Sequence, residues 1–281
     1  MEQKKRFYAI VDLESMVAED EHRQYQATER FRPRAGQRDS GRRGLRGAND
    51  PLTSPRWMFQ QIMVATIMVC ATHDDGNIVP SSLHTFTAAD FDESSILEQL
   101  FTVVGDLPPG TELVTYGGCW ADVPLVVVRA MKHGLTLPRP WKWMAWGGQG
   151  NVPHIDLMRV LTGSSKMKAS HMAEFAAVCD IPAKMSAAPW SAAELIRRSE
   201  WDRVAEMGEA DCITTALLFA AWRRLHEGGA GVEVVHDRIY REVETLCAGR
   251  RYIPIIKERR RQLFEHQASS ARAKLEEPLS I

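Results

Sequence analysis

The chain has 281 residues, 44% apolar and 25% charged, which is the make-up of an ordinary soluble protein long enough to bury a full core without staples. No run of 18 apolar residues occurs and no secretory leader precedes the first strand-like stretch, so neither a membrane span nor export is expected and the predicted location is cytoplasmic. The net charge of −1 hides an asymmetry: residues 30–46 hold seven Arg and one Asp, residues 249–261 hold six Lys or Arg and one Glu, and the remainder is acidic.

Residues 6–13 predict a buried first strand. Residues 17–56 turn polar and rich in Arg and Gly, with Pro33, Pro51 and Pro55, and read as a long insertion or flexible loop. Residues 60–72 predict a second strand, Asp74-Asp75-Gly76 a hairpin turn, and residues 83–88 a third strand. A helix opens at Asp90 to Asp92 and runs to about Val104, with Ile96, Leu97, Leu100 and Phe101 at helical spacing, until Pro108-Pro109-Gly110 breaks it. Residues 112–116 predict a fourth strand, Gly117-Gly118 a turn, and 122–134 a helix. Residues 154–161 are a short strand or helix start, Ser170 is the expected cap of a helix over 171–179, and 191–199 and 203–226 are helical. The 232–275 stretch is helical in pattern with a break at Ile253-Pro254. Three strands joined by turns, a crossover helix and a further strand give a mixed sheet flanked by helices.

Five scattered cysteines without a Cys-x-x-Cys pair argue against a disulfide framework or a structural zinc site and for core thiols in a reducing compartment. Cys70 and His73 have ligand spacing but no second pair. Four acids stand out instead. Asp12 and Glu14 lie two apart at a strand end, so period two puts both on one face, where two carboxylates repel unless a hard cation such as Mg²⁺ or Mn²⁺ lies between them. Asp122 opens a helix, where capping is the simpler role. Asp211 sits in a helix with an apolar downstream face. No phosphate loop and no serine-hydrolase elbow is present; Gly147-Gly148-Gln149-Gly150 lacks the Lys that would follow.

The stretches YAIVDLES, TYGGCWADVPLVVVRAMKHG and EADCITTALLF together resemble the three motifs of the DEDD superfamily of 3′→5′ exonucleases. HIDLMRVLTG and HMAEFAAVCDIPAK resemble the linking segment of predicted exonucleases related to the exonuclease domain of family B DNA polymerases. The similarity runs discontinuously from about residue 6 to 226. It implies a ribonuclease-H-like α/β fold, a mixed five-stranded sheet flanked by helices. Residues 1–230 would form the exonuclease-like domain, with 17–56 inserted, and 231–281 a helical C-terminal extension. It also implies that Asp12, Glu14, Asp122 and Asp211 hold two divalent cations and hydrolyse single-stranded DNA or RNA from its 3′ end to nucleoside 5′-monophosphates.

The superfamily places a Tyr four residues, or a His five residues, before the last aspartate. Here Met207 and Glu206 stand there, and a thioether does not orient a water. Glu206 or Glu209 is the candidate replacement, with solvent-facing helix positions as the plainer reading. Gly117-Gly118 replaces the usual Asn-Gly and Ala121 the usual Phe. Tyr116 and Trp120 are candidate base-stacking residues, and Met16 is the position of an apolar wedge against the terminal base. Arg42, Arg43 and Arg46 are candidate phosphate contacts, whereas Arg259, Arg260 and Arg261 read more simply as a solvated helix face. The competing reading is a catalytically weakened or inactive scaffold that binds nucleic acid without cutting it. An unrelated metal phosphoesterase or structure-specific endonuclease is a third.

Overall fold

Apolar residues of both parities along the first strand require cover on both faces of the sheet, and the computed structural model supplies it. The structure describes residues 5–31, 52, 54–139, 141, 154–163, 170–186, 192–228 and 231–276. In chain order the elements are β1 (Phe7–Val17), α1 (Glu19–Phe31), β2 (Gln60–Thr72), β3 (Ile78–Thr87), α2 (Glu93–Gly105), β4 (Glu112–Thr115), α3 (Asp122–His133), β5 (His154–Asp156), α4 (Leu157–Thr162), α5 (Met172–Val178), α6 (Ala192–Arg197), α7 (Trp201–Glu227), α8 (Val232–Leu246) and α9 (Ile253–Glu276). The five strands form one sheet in the order β3-β2-β1-β4-β5. β1, β2 and β3 pair antiparallel, while β4 joins β1 and β5 joins β4 in parallel. This is the ribonuclease-H-like mixed sheet expected from the order of strands and crossovers.

Alternation along β1 sorts the core. Tyr8 and Ile10 pack with Met68, Cys70 and Val114 against α7, α8 and α9. Ala9 and Val11 pack with Ala65, Ile67 and Leu113 against α2 and α3. The helix α7 is buried almost all round from Val204 to Ala220, as a helix held between a sheet and further helices must be. Residues 232–246 and 253–276 are helical, and Tyr240, Tyr252 and Ile256 are fully buried in the same core as the sheet. The break falls at 247–252 instead of at Pro254. Pro254 occupies the first turn of α9, where its missing N–H has no helical partner to lose.

Two expectations need correction. Residues 17–56 are not all loop: β1 extends to Val17 and α1 follows at once. The cap of α5 is His171, not Ser170, and the Glu174 carboxylate reaches back to accept from its N–H at 2.7 Å. Among the described residues, no helix is long and apolar enough to cross a membrane.

Candidate metal centre

The same alternation that aims Tyr8 and Ile10 at α7 also aims Asp12 and Glu14 there. A bulge in the β1–β2 pairing follows directly after Glu14, so the two acids occupy the last regular stretch of the ladder. Opposite them, α7 carries Asp211. Close approach of helix to sheet depends on Gly208: a Cβ there would lie 2.6 Å from Thr66 Oγ1 and 3.5 Å from Asp12 Oδ2. Each of Asp12, Glu14 and Asp211 offers a carboxylate oxygen within 4.8 Å of the others.

Electrostatics mark this cluster as unusual. Burial, followed by the charges of Asp211, Glu14 and Asp122, pushes the Asp12 carboxyl well above the ordinary carboxylate range. Burial and Asp211 push Glu14 up to about 8. Asp122, the first residue of α3, is pushed up to about 7 by burial, then by Asp156 and Asp211. Asp122 is thus within electrostatic reach of the cluster although it is not among the three acids whose oxygens converge most tightly. Asp12 Oδ2 is buried and, among the described residues, has no hydrogen-bond partner. A buried carboxyl oxygen without a partner, beside two further carboxyls, is a donor set that suits a hard divalent cation.

One functional candidate escaped the sequence reading. The Lys184 ammonium pairs with Asp211 Oδ2, and it opposes the rise of the Asp211, Asp12 and Glu14 carboxyls. Its backbone is left-handed, with φ 53°. Lys184 lies in a connecting stretch 27 residues before its partner, and no local pattern signals it.

The remaining candidates are placed differently. Glu206 and Glu209 do not face solvent; both are buried. Glu206 accepts from Arg251 N at 3.0 Å, and Glu209 accepts from Tyr252 Oη at 2.9 Å, Arg250 Nη2 at 2.6 Å and Thr85 Oγ1 at 3.2 Å. Met207 packs with Val64, Leu195, Ile196 and Val204, with Met16 against the same cluster. Tyr116 donates from Oη to Ser170 O at 2.9 Å and meets Phe175 edge-on, while Trp120 is 57% exposed. Arg259, Arg260 and Arg261 pair with Asp180, Asp237 and Glu244, and Glu258 and Glu265 respectively; Arg261 fits the expected solvated helix face, whereas Arg259 and Arg260 are largely buried against neighbouring elements. Arg42, Arg43 and Arg46 lie outside the described residues.

Residues 56–247 match a family model described as a predicted 3′-5′ exonuclease related to the exonuclease domain of PolB. The matched stretch begins after Asp12 and Glu14, and the sheet register is what brings those two acids to it. Among solved structures, the family B DNA polymerase of the hyperthermophilic archaeon Pyrobaculum calidifontis aligns at 13% identity and a TM-score of 0.43, over 86% of this chain and 29% of the polymerase chain. The chain therefore corresponds to less than a third of that protein's length. No curated protein matches the sequence.

Proposed function

The chain belongs to the family of predicted 3′→5′ exonucleases related to the exonuclease domain of PolB, and from that premise we propose that it is a metal-dependent exonuclease that shortens single-stranded DNA or RNA from the 3′ end and releases nucleoside 5′-monophosphates. The observation that carries the reading is the convergence of Asp12, Glu14 and Asp211 within 4.8 Å, with Asp12 Oδ2 buried and undonated.

In this reading Asp12, Glu14, Asp122 and Asp211 would hold two divalent cations of the Mg²⁺ or Mn²⁺ class. Bound there, such ions supply a water nucleophile at neutral pH and neutralise charge on the attacking and leaving oxygens of an in-line displacement. The chain's own contribution is to keep the carboxylates close, ionisable and rigid. The strand fixes Asp12 and Glu14 two residues apart, Gly208 lets α7 bring Asp211 against them, and Lys184 favours the charged form of Asp211. Lys184 also leaves one cation beside the acids to meet a non-bridging phosphate oxygen. Glu206 and Glu209 are bonded to the 250–252 turn, which supports a structural role for both.

The burial of Met207 in an apolar cluster favours a second reading, a weakened relative that binds a strand without cutting it. A single experiment separates the two. The full chain is incubated with 3′- and 5′-labelled single strands in Mg²⁺, Mn²⁺ or EDTA, beside Asp12→Asn and Asp211→Asn. The nuclease reading requires a ladder growing from the 3′ end, absent in EDTA and reduced at least ~100-fold in either variant. Strand binding without shortening in either metal would overturn it in favour of the scaffold.

A further inference from the structure

A second group of ligand-type side chains lies outside the carboxylate cluster. Cys119, His154 and Asp156 each offer one atom, and the three atoms lie within 4.8 Å of one another. They come from β5, which carries His154 and Asp156, and from the turn between β4 and α3, which carries Cys119. The turn folds tightly over β4 because residue 118 is glycine: a Cβ there would lie 2.6 Å from Thr115 Cβ.

The three donors already stand close to the geometry that a metal takes. His154 Nε2 is 2.9 Å from Thr115 Oγ1; donation to that hydroxyl leaves the Nδ1 lone pair free. Nδ1 is 3.7 Å from Cys119 Sγ. Zinc bonds of about 2.3 Å to sulfur and about 2.05 Å to nitrogen at a tetrahedral angle span roughly 3.6 Å between the two ligand atoms, so thiol and imidazole already stand at the separation such an ion imposes. Asp156 is buried. Its Oδ1 accepts from Gly117 N at 3.0 Å and Arg159 N at 3.4 Å, and its Oδ2 from Cys119 N at 2.9 Å. These bonds fix the carboxylate in place while Oδ2 keeps a lone pair. The Thr115 hydroxyl behind His154 is the kind of outer partner that sets tautomer and ring orientation at metal-binding histidines. Arg159 Nη1, on the exposed rim at 3.8 Å from Sγ, is the cation that a metal would replace beside the thiol.

We propose that Cys119, His154 and Asp156 form a binding site for a thiolate-preferring divalent ion of the Zn²⁺ type, distinct from the group of Asp12, Glu14 and Asp211, with solvent as its fourth ligand. One thiolate and one imidazole select Zn²⁺ over Mg²⁺, whose ligands are oxygens. Binding releases the Cys119 proton to solvent. Because Cys119 lies three residues before Asp122, occupancy ties the 117–121 turn to β5 and steadies the start of α3. The proposal is independent of whether the carboxylate cluster cuts nucleic acid.

The test titrates Co²⁺ into the chelator-stripped full chain with excess Mg²⁺ present to occupy the carboxylates. One equivalent is expected to bind with a near-ultraviolet thiolate-to-cobalt charge-transfer band, and Zn²⁺ bleaches it. Cys119→Ser removes the band with unchanged circular dichroism. His154→Gln weakens binding at least tenfold, and Thr115→Val by about 10–100-fold, the usual effect of losing an outer partner. Absence of the band in the parent, or its persistence in Cys119→Ser, overturns the proposal, the latter by assigning the metal to another thiol.

Discussion

A single missing methyl group decides whether the acids can meet. Gly208 sits in the buried middle of α7, where glycine ordinarily costs about 1 kcal/mol relative to alanine, so Gly208→Ala would stabilise a helix with free space around it. Here the added Cβ meets Thr66 Oγ1 at 2.6 Å and Thr66 Cβ at 3.3 Å. Gly208→Ala is therefore expected to destabilise by about 1–3 kcal/mol in denaturant unfolding, and Thr66→Ala in the same chain to return part of that loss by removing the nearer atom. Equal or greater stability of Gly208→Ala would show that the helix is not held at contact distance. The sequence made the cluster's three acids legible through their motifs: Asp-x-Glu at a strand end and an aspartate before an apolar helix face are ordinary singly, and together they resemble the exonuclease pattern. It could not reveal Lys184 or Gly208. Their importance is a distance to a residue far along the chain: Lys184 breaks no local pattern, and the glycine inside α7 is locally unfavourable without saying what it approaches.

At the level of elements, α1, α2, α3 and β2 meet at one buried cation. Arg129 on α3 donates from Nε to Glu93 Oε1 at 2.7 Å and from Nη1 to Glu21 Oε2 at 2.8 Å, and Ile62 N on β2 donates to Glu93 Oε1 at 2.8 Å. Both Arg129 and Glu93 are almost fully buried, so removing one strips the other of its main charge partner, leaving Glu93 only His133 and Ile62 N, or Arg129 only Glu21. Arg129→Ala is expected to cost about 3–5 kcal/mol, while Arg129→Met with Glu93→Gln, which removes both charges, costs clearly less. Equilibrium unfolding of the two variants checks this, and equal losses would mean that packing of the arginine stem, not its charge, holds the helices. The same pairing explains why α1 carries no helical signature in the sequence. It has few apolar residues, and it is anchored by Glu21 reaching across to Arg129 and by Tyr25 and His22 against Phe59, contacts that no periodicity records. By contrast β2, α2 and α3 were legible nearly to the residue, because their apolar spacing and the Asp92 cap are local.

Across the whole molecule, the carboxylate cluster couples folding to protons and, in the proposed reading, to divalent ions. A carboxyl whose pKa is raised by folding keeps its proton in the folded chain at pH values where the unfolded chain has lost it. The folded state then binds more protons, and stability falls as pH rises from the unfolded toward the folded pKa. Asp122 at about 7, Glu14 at about 8 and the still higher Asp12 all act in this sense. Buried histidines act oppositely: His236, pushed down to about 4, and His154, also lowered, favour the folded chain increasingly as pH rises toward 6.5. Between pH 6.5 and 8 the histidine contributions are nearly spent and the carboxylates dominate. The metal-free chain is therefore expected to lose stability across that window in denaturant unfolding with EDTA, and Asp12→Asn to flatten the decline by removing both a raised group and a repelling charge. In the proposed reading divalent ions are expected to reverse the trend, since they would compete with protons for the same oxygens. Mg²⁺ or Mn²⁺ at 100 times its Kd is expected to add about 2.7 kcal/mol per site at pH 8, and progressively less as the pH falls and protons reclaim the carboxylates. Stability that rises with pH in EDTA from 6.5 to 8, or that responds to Mn²⁺ equally in Asp12→Asn, would mean that these acids are not a cation site held together against their own repulsion.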